Sequence, residues 1–177
     1  MNLNEKSPNN RLKDYLFVAL GSAFGLGLSP IAPGSFGAFL GVGIHIFIHS
    51  LIRANLQLFF FIGFFLAVCV LHFCLTPWAV NYWKEEDPKN FVLDEVAGYL
   101  LVPILFHPEF IRPTAVPFRQ VLFFGFILFR VLDIIKVPPA RQIDRNLHGG
   151  WGILLDDLVS AIYAVIVLYV LLMMKII

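Results

Sequence analysis

Five apolar runs, separated by short polar or proline-containing loops, limit the possible folds of this chain more than any other feature. One of these runs, residues 56–76, contains no acidic side chain, lysine or arginine. Of the 177 residues, 59% are hydrophobic and only 14% are charged, whereas about a quarter of a soluble domain is usually charged. The mean hydropathy is +0.80. We therefore expect an all-α integral membrane protein whose excess apolar surface faces lipid.

The order of apolar and polar segments predicts a compact polytopic helical bundle with about five membrane segments. These segments are residues 36–52, 56–76, 94–106, 118–135 and 153–175. Residues 15–28 are apolar but too short to cross, because a spanning helix needs about 20 residues, so we expect a re-entrant or interfacial N-terminal helix. Two prolines and a glycine then break the helix at 29–35. We expect a polar N-terminal tail at 1–14 and a single membrane-embedded domain at 15–177.

The basic residues predict which side of the membrane each loop occupies. Because successive spans alternate, the break at 29–35 shares one side with the loops 77–93 and 136–152, and with the tail if the first helix does not cross. Nine basic residues lie on that side: Lys6, Arg11, Lys13, Lys84, Lys89, Arg130, Lys136, Arg141 and Arg145. Four lie on the other: Arg53, Arg112, Arg119 and Lys175. The positive-inside rule makes the first side cytoplasmic.

The acidic residues are distributed even more unevenly than the basic ones. Of the twelve acids, only Glu109 falls on the second side. The positive-inside rule says little about acids, so the excess of carboxylates on the cytoplasmic side needs another explanation.

Two pairs of adjacent acids lie against apolar segments. Asp94 and Glu95 open one segment, where capping of a helix N-terminus is the simpler interpretation. Asp156 and Asp157 lie about a turn inside the last helix, and adjacent helical side chains point about 100° apart, so at least one faces the protein interior. Carboxylates in such surroundings are costly unless they are paired or bind a metal.

Basic side chains accompany these acids. Arg130, Asp133 and Lys136 recur at intervals of three along one strip of a helix. The strip is either a salt bridge at the membrane interface or a mixed site, in which carboxylates bind a cation and Arg or Lys binds phosphate. The break at 29–35 is either a simple re-entrant turn or an anion cradle, in which Ser29, Gly34, Ser35 and free N–H groups precede a helix.

The residue types favour Mg²⁺ as the metal. Six acids on the cytoplasmic side are candidate ligands: Asp94, Glu95, Asp133, Asp144, Asp156 and Asp157. Carboxylates without a cluster of His or Cys favour hard cations, and the five histidines are scattered along the sequence. Basic residues beside a metal at headgroup depth suit phosphoryl chemistry on a lipid. A net charge of +1 gives no indication of nucleic-acid binding.

Four segments, taken in order, resemble the phosphatidylglycerophosphatase A family. They are 27–37 (GLSPIAPGSFG), 94–98 (DEVAG), 130–136 (RVLDIIK) and 149–157 (GGWGILLDD). Each segment alone is a weak signal, whereas four in order on one predicted membrane face are specific. The resemblance extends from about residue 13 to the C-terminus.

The resemblance implies a Mg²⁺-dependent lipid phosphatase that hydrolyses phosphatidylglycerophosphate to phosphatidylglycerol in glycerophospholipid biosynthesis. It implies a multi-pass protein of the bacterial inner membrane, with residues 15–177 as a catalytic domain whose active site faces the cytoplasm. The expected partner is the phospholipid substrate, with no nucleic acid and no obligate protein partner.

The resemblance also assigns roles to residues. The catalytic carboxylates would be Asp94, Glu95, Asp156 and Asp157, with Asp133 and Asp144 as further metal ligands. Phosphate oxygens would be held by Arg130, Lys136 and Arg145, together with the cradle of Ser29, Gly34 and Ser35.

Other classes of membrane protein also use intramembrane acids. A transporter would have internal repeats and acids near the bilayer midplane, and the sequence has no repeat. A phospholipid transferase that uses a nucleotide-activated lipid would space several Asp residues along one run, whereas these acids are spread over several segments. A structural subunit would leave the excess of acids unexplained.

Overall fold

The computed structural model describes residues 8–108 and 116–176, which form an all-helical chain. Within those ranges there are seven α-helices, one short 3-10 helix at Leu26–Leu28 and no β-strand. The helices are α1 (Pro8–Gly21), α2 (Pro33–Leu51), α3 (Ala54–Trp83), α4 (Leu93–Leu105), α5 (Phe118–Ile135), α6 (Ala140–Asn146) and α7 (Gly149–Met173). The all-α class is confirmed. Lys6, Glu109, Arg112 and residues 1–7 of the predicted tail lie outside the described residues.

Several helix boundaries differ from those predicted. Helix α3 continues through Pro77 to Trp83, into the segment predicted to be a loop. Around the proline, Thr76 Oγ1 donates to the carbonyl of His72 at 2.7 Å, and Asn81 Nδ2 donates to that of Pro77 at 3.0 Å. The predicted loop 136–152 contains the short helix α6, which is polar and therefore gives no apolar signal.

Among the described residues, three helices are long and apolar enough to cross a membrane: α2, α3 and α7. They identify the chain as a membrane protein. Helix α4 has 13 residues and is about 20 Å long, which is less than the roughly 30 Å of a bilayer core. Helix α5 has a suitable length but carries Arg119, Arg130 and Asp133. The predicted count of about five membrane segments therefore stays a prediction.

Helix α4 forms the centre of the bundle. It contacts α2, α3, α5 and α7, and its Tyr99 and Leu100 are fully buried. Phe129 of α5 and Leu168 of α7 pack in the same cluster as Tyr99 and are also fully buried. Ten of the 13 residues of α4 are buried, so this helix, which is too short to cross a bilayer, is enclosed mainly by protein.

One end of the bundle collects the termini that carry the predicted motifs. The N-termini of α2, α4 and α7 meet the C-terminus of α5 around one cavity, as alternating spans require. At the last turns of α3, Trp78 Nε1 donates to Asp14 Oδ1 at 3.0 Å and the Trp78 ring packs edge-on against Phe17 at 5.3 Å. These contacts attach α1 to α3. A re-entrant or interfacial position of α1 stays a prediction.

Candidate active site

A cavity of about 300 Å³ opens at this end of the bundle. Its walls come from four parts of the chain that the sequence singled out and from the loop that precedes α4. The lining residues are Ala32, Pro33, Gly34, Ser35, Asp87, Pro88, Lys89, Phe91, Asp94, Glu95, Arg130, Asp133, Ile134, Lys136, Ile153, Asp156 and Asp157. The four motifs therefore form one site.

Helices α4 and α7 position the two acid pairs. Asp94 and Glu95 lie in the first turn of α4. Asp156 and Asp157 lie two turns inside α7, which begins at Gly149, four residues before the predicted start. Gly98 allows α4 to approach α7 and α5, because a Cβ at that position would lie 3.2 Å from Asp157 Cβ and 2.6 Å from Phe129 Cζ.

Five of the six predicted metal ligands form two overlapping groups. In each group, one ligand atom from each residue lies within 4.8 Å of the others. The first group is Asp94, Glu95 and Asp157, and the second is Asp133, Asp156 and Asp157. Among the described residues, no other set of three His, Cys, Asp or Glu side chains is this close. Asp157 therefore joins the two groups.

Two basic side chains contact the second group. Arg130 Nη1 lies 3.1 Å from Asp133 Oδ2. Lys136 Nζ donates to Asp144 Oδ1 at 2.5 Å and to Asp156 Oδ2 at 2.6 Å. Burial lowers the pKa of Lys136, but these two hydrogen bonds raise it more, so the net shift is upward and the ammonium group stays charged.

Each of the five grouped acids has a buried oxygen with no hydrogen-bond partner. These atoms are Asp94 Oδ1, Glu95 Oε2, Asp133 Oδ1, Asp156 Oδ1 and Asp157 Oδ2. A buried carboxylate oxygen without a partner is costly, and a hard cation with oxygen ligands would satisfy it. The donor set therefore fits Mg²⁺, with Asp94, Glu95, Asp133, Asp156 and Asp157 available to hold it.

The start of α2 forms another wall of the cavity. A Cβ on Gly34 would overlap Glu95 Oε1 and lie 2.8 Å from Arg130 Nη2, so glycine is required for this close approach. The N–H groups of Gly34 and Ser35 belong to the first turn, where a helix provides no carbonyl partner for them. They can therefore bind an anion at the cavity wall.

Three predicted site residues lie away from the cavity walls. Arg145 is exposed on α6, and neither it nor Ser29 lines the cavity. The Ser29 hydroxyl donates instead to the carbonyl of Ile31 at 2.9 Å. Asp144 reaches the site only through Lys136, and its side chain is 38% exposed.

Sequence reasoning missed Asp87 and Lys89, which line the cavity from the loop before α4. The sequence offered one signal for these two residues, because they lie in the loop that leads directly to Asp94 at the start of α4.

Some histidines that are scattered in the sequence lie together at another place. His45, His49 and His107 line a second cavity of about 320 Å³.

Comparison with known proteins identifies the family. The family model described as phosphatidylglycerophosphatase A matches residues 19–172. The phosphatidylglycerophosphatase A of Haemophilus influenzae is 34% identical over 91% of this chain and 94% of its own length. That of Escherichia coli is 32% identical over 85% of this chain and 80% of its own.

The name of a further relative indicates a different substrate. It is a Bacteroides thetaiotaomicron protein provisionally named phosphatidylinositol-3-phosphatase, 33% identical over 88% of this chain and 93% of its own length. No solved structure shows a significant match. The family model spans most of the chain and contains all four motifs within residues 27–157, so this chain belongs to the phosphatidylglycerophosphatase A family.

Proposed function

We propose that the chain hydrolyses phosphatidylglycerophosphate to phosphatidylglycerol and phosphate, in a Mg²⁺-dependent step of glycerophospholipid biosynthesis. One observation carries the proposal. In a member of this family, five acids with unpartnered oxygens face Arg130 and Lys136 in a single cavity at the end of a membrane bundle. Cations held by carboxylates, with Arg and Lys beside them, suit a phosphate monoester.

The basic wall of the cavity binds the phosphate. Arg130 presents a planar guanidinium that can contact two phosphate oxygens, and its Nε atom is buried without a hydrogen-bond partner. Lys136 adds a charged ammonium group, and the N–H groups of Gly34 and Ser35 lie at the start of α2. The acyl chains stay in lipid while the headgroup enters from the membrane surface.

The carboxylates of the same cavity provide proton transfer. When bound there, Mg²⁺ would neutralise charge on the phosphate and lower the pKa of water. A carboxylate of the cavity orients a water molecule toward phosphorus and accepts its proton. The bond between phosphorus and the glycerol oxygen breaks, that oxygen takes up a proton and leaves as the hydroxyl group of phosphatidylglycerol, and the phosphate stays bound to Arg130 and Lys136. A covalent route, in which a carboxylate attacks phosphorus first, uses the same residues.

Substrate choice tests the proposal directly. We expect purified protein in detergent with Mg²⁺ to release phosphate from phosphatidylglycerophosphate about tenfold or more faster than from phosphatidic acid or phosphatidylinositol 3-phosphate. The comparison measures kcat/KM for each lipid at matched micelle composition. A preference for phosphatidylinositol 3-phosphate, or no release from any of the three lipids, would contradict the proposed substrate.

We also propose that the cavity faces the cytoplasm of a bacterial inner membrane. The basic residues on this side support that orientation. Asn55 lies at the start of α3 and Glu86 lies just after its end, and both are exposed. If α3 crosses the membrane, single cysteines at these two positions therefore lie on opposite sides of it.

A labelling experiment tests this orientation. In a background in which Cys69 and Cys74 are replaced by Ala, an impermeant maleimide on intact spheroplasts is expected to label Asn55→Cys but not Glu86→Cys. Permeabilised cells should show labelling of both. Labelling of Glu86→Cys alone in intact spheroplasts would reverse the orientation.

A further inference from the structure

We propose that the cavity binds two divalent cations side by side, with the Asp157 carboxylate as a ligand of both. This inference rests on the proposed function, because it gives the number of cations at the same site. It starts from the two groups of acids, which are separate sets of three that share one member. A single cation would leave one of the two sets of acids without a bound ion.

The dimensions of each group suit one cation. Mg²⁺ binds oxygen ligands at 2.0–2.1 Å, so ligands on opposite sides of the ion are about 4.2 Å apart. Each group places its three ligand atoms within 4.8 Å of one another, so small side-chain movements would complete either set. In sites that hold two metals, the two ions are typically about 3.5–4 Å apart and often share a carboxylate ligand.

The unpartnered oxygens independently indicate that both groups can bind a cation. Asp94 and Asp133 are 7% exposed, Asp156 is 3% exposed and Asp157 is 4% exposed. Each has a buried oxygen with no hydrogen-bond partner. Asp133 and Asp156 each use one oxygen to contact a basic side chain and leave the other free. Both groups therefore retain ligand atoms after the contacts within the protein are made.

The charge of the cavity also favours two cations. If ionised, the five grouped carboxylates carry five negative charges, and Arg130 and Lys136 neutralise two, which leaves three. One divalent cation leaves one negative charge, which repels a dianionic phosphate monoester. A second divalent cation makes the cavity positive by one charge and so favours the phosphate.

Counting bound Mn²⁺ tests this inference without an activity assay. Free Mn²⁺ gives a six-line electron paramagnetic resonance signal that weakens when the ion binds protein, so a titration of the full chain in detergent gives the number of ions bound. We expect two Mn²⁺ per chain in the wild type. Asp94→Asn and Asp133→Asn are each expected to retain one ion, at the group that is left intact.

Glu86→Gln is the matched control and is expected to bind two ions, because Glu86 is exposed and lies outside both groups and the cavity. If Asp94→Asn elutes as aggregate in gel filtration, Glu95→Gln replaces it and removes a ligand from the same group. Saturation of the wild type at one Mn²⁺ or none would overturn the inference, as would two ions bound by both single-group variants.

Activity measured on the same samples separates this inference from the proposed function. If the chain binds two Mn²⁺ but releases no phosphate from phosphatidylglycerophosphate, the two-cation site is supported and the proposed substrate is contradicted. If the chain releases phosphate with one bound ion, the proposed function is supported and the two-cation site is contradicted.

Discussion

Replacing Asp157 with Asn is expected to lower kcat for phosphate release by about a thousandfold, which corresponds to roughly 4 kcal/mol of transition-state stabilisation. Asp157 belongs to both groups of acids, and an amide nitrogen has no lone pair for a cation and lacks the negative charge. The volume of the side chain hardly changes, so the helix packing around it should be retained. The measurement is phosphate release from phosphatidylglycerophosphate at saturating Mg²⁺.

The control for this variant is Glu86→Gln. Glu86 is an acid at the same end of the bundle, with a side chain that is 87% exposed and outside the cavity. We expect it to retain wild-type kcat. If Asp157→Asn elutes like the wild type in gel filtration and remains within about threefold of wild-type kcat, Asp157 is not required for the reaction.

Replacing Gly34 with Ala is expected to lower activity by about a hundredfold. The new methyl group would overlap Glu95 Oε1 and crowd Arg130 Nη2, so α2 must shift or both side chains must move. A displacement of about 1 Å in a catalytic arrangement can cost about this factor. The variant therefore tests whether close packing of α2 positions a carboxylate and a phosphate ligand together.

Gly43→Ala is the matched control on the same helix. A Cβ at Gly43 meets no atom within 4 Å, and alanine favours helix over glycine by up to about 1 kcal/mol. We expect wild-type activity and a melting temperature that is unchanged or slightly higher. Equal activity of Gly34→Ala and Gly43→Ala would rule out the positioning role of Gly34.

Much of the site could be predicted because charged residues inside apolar segments can be recognised in the sequence, and burying them is costly. Asp156 and Asp157 stand inside an apolar helix, and burial there is unfavourable without a partner. Arg130 and Asp133 occupy the end of α5, whose boundaries match the predicted segment 118–135. Alternating helices then bring all four motifs to one end, because each motif stands at a helix terminus on the same predicted side.

Other features depend on contacts that sequence patterns do not encode. Helix α3 continues past Pro77 to Trp83, although a proline usually ends or kinks a helix. Helix α4 is apolar because it is enclosed by protein, so its hydropathy does not measure exposure to lipid. The division of the acids into two groups depends on the approach of α4 to α7 at Gly98. Asp87 and Lys89 reach the cavity through the path of a loop, which has no periodic signal.

In the proposed reaction, this cavity removes the terminal phosphate of phosphatidylglycerophosphate with the help of a divalent cation. Phosphorus NMR on purified protein in detergent tests it most directly, because the phosphate monoester, the diester and inorganic phosphate give separate signals. With Mg²⁺, we predict that the monoester signal is lost, that inorganic phosphate appears in equal amount and that the diester persists. With excess EDTA, the monoester should persist. An unchanged monoester signal with Mg²⁺, or equal loss with EDTA, would contradict the account.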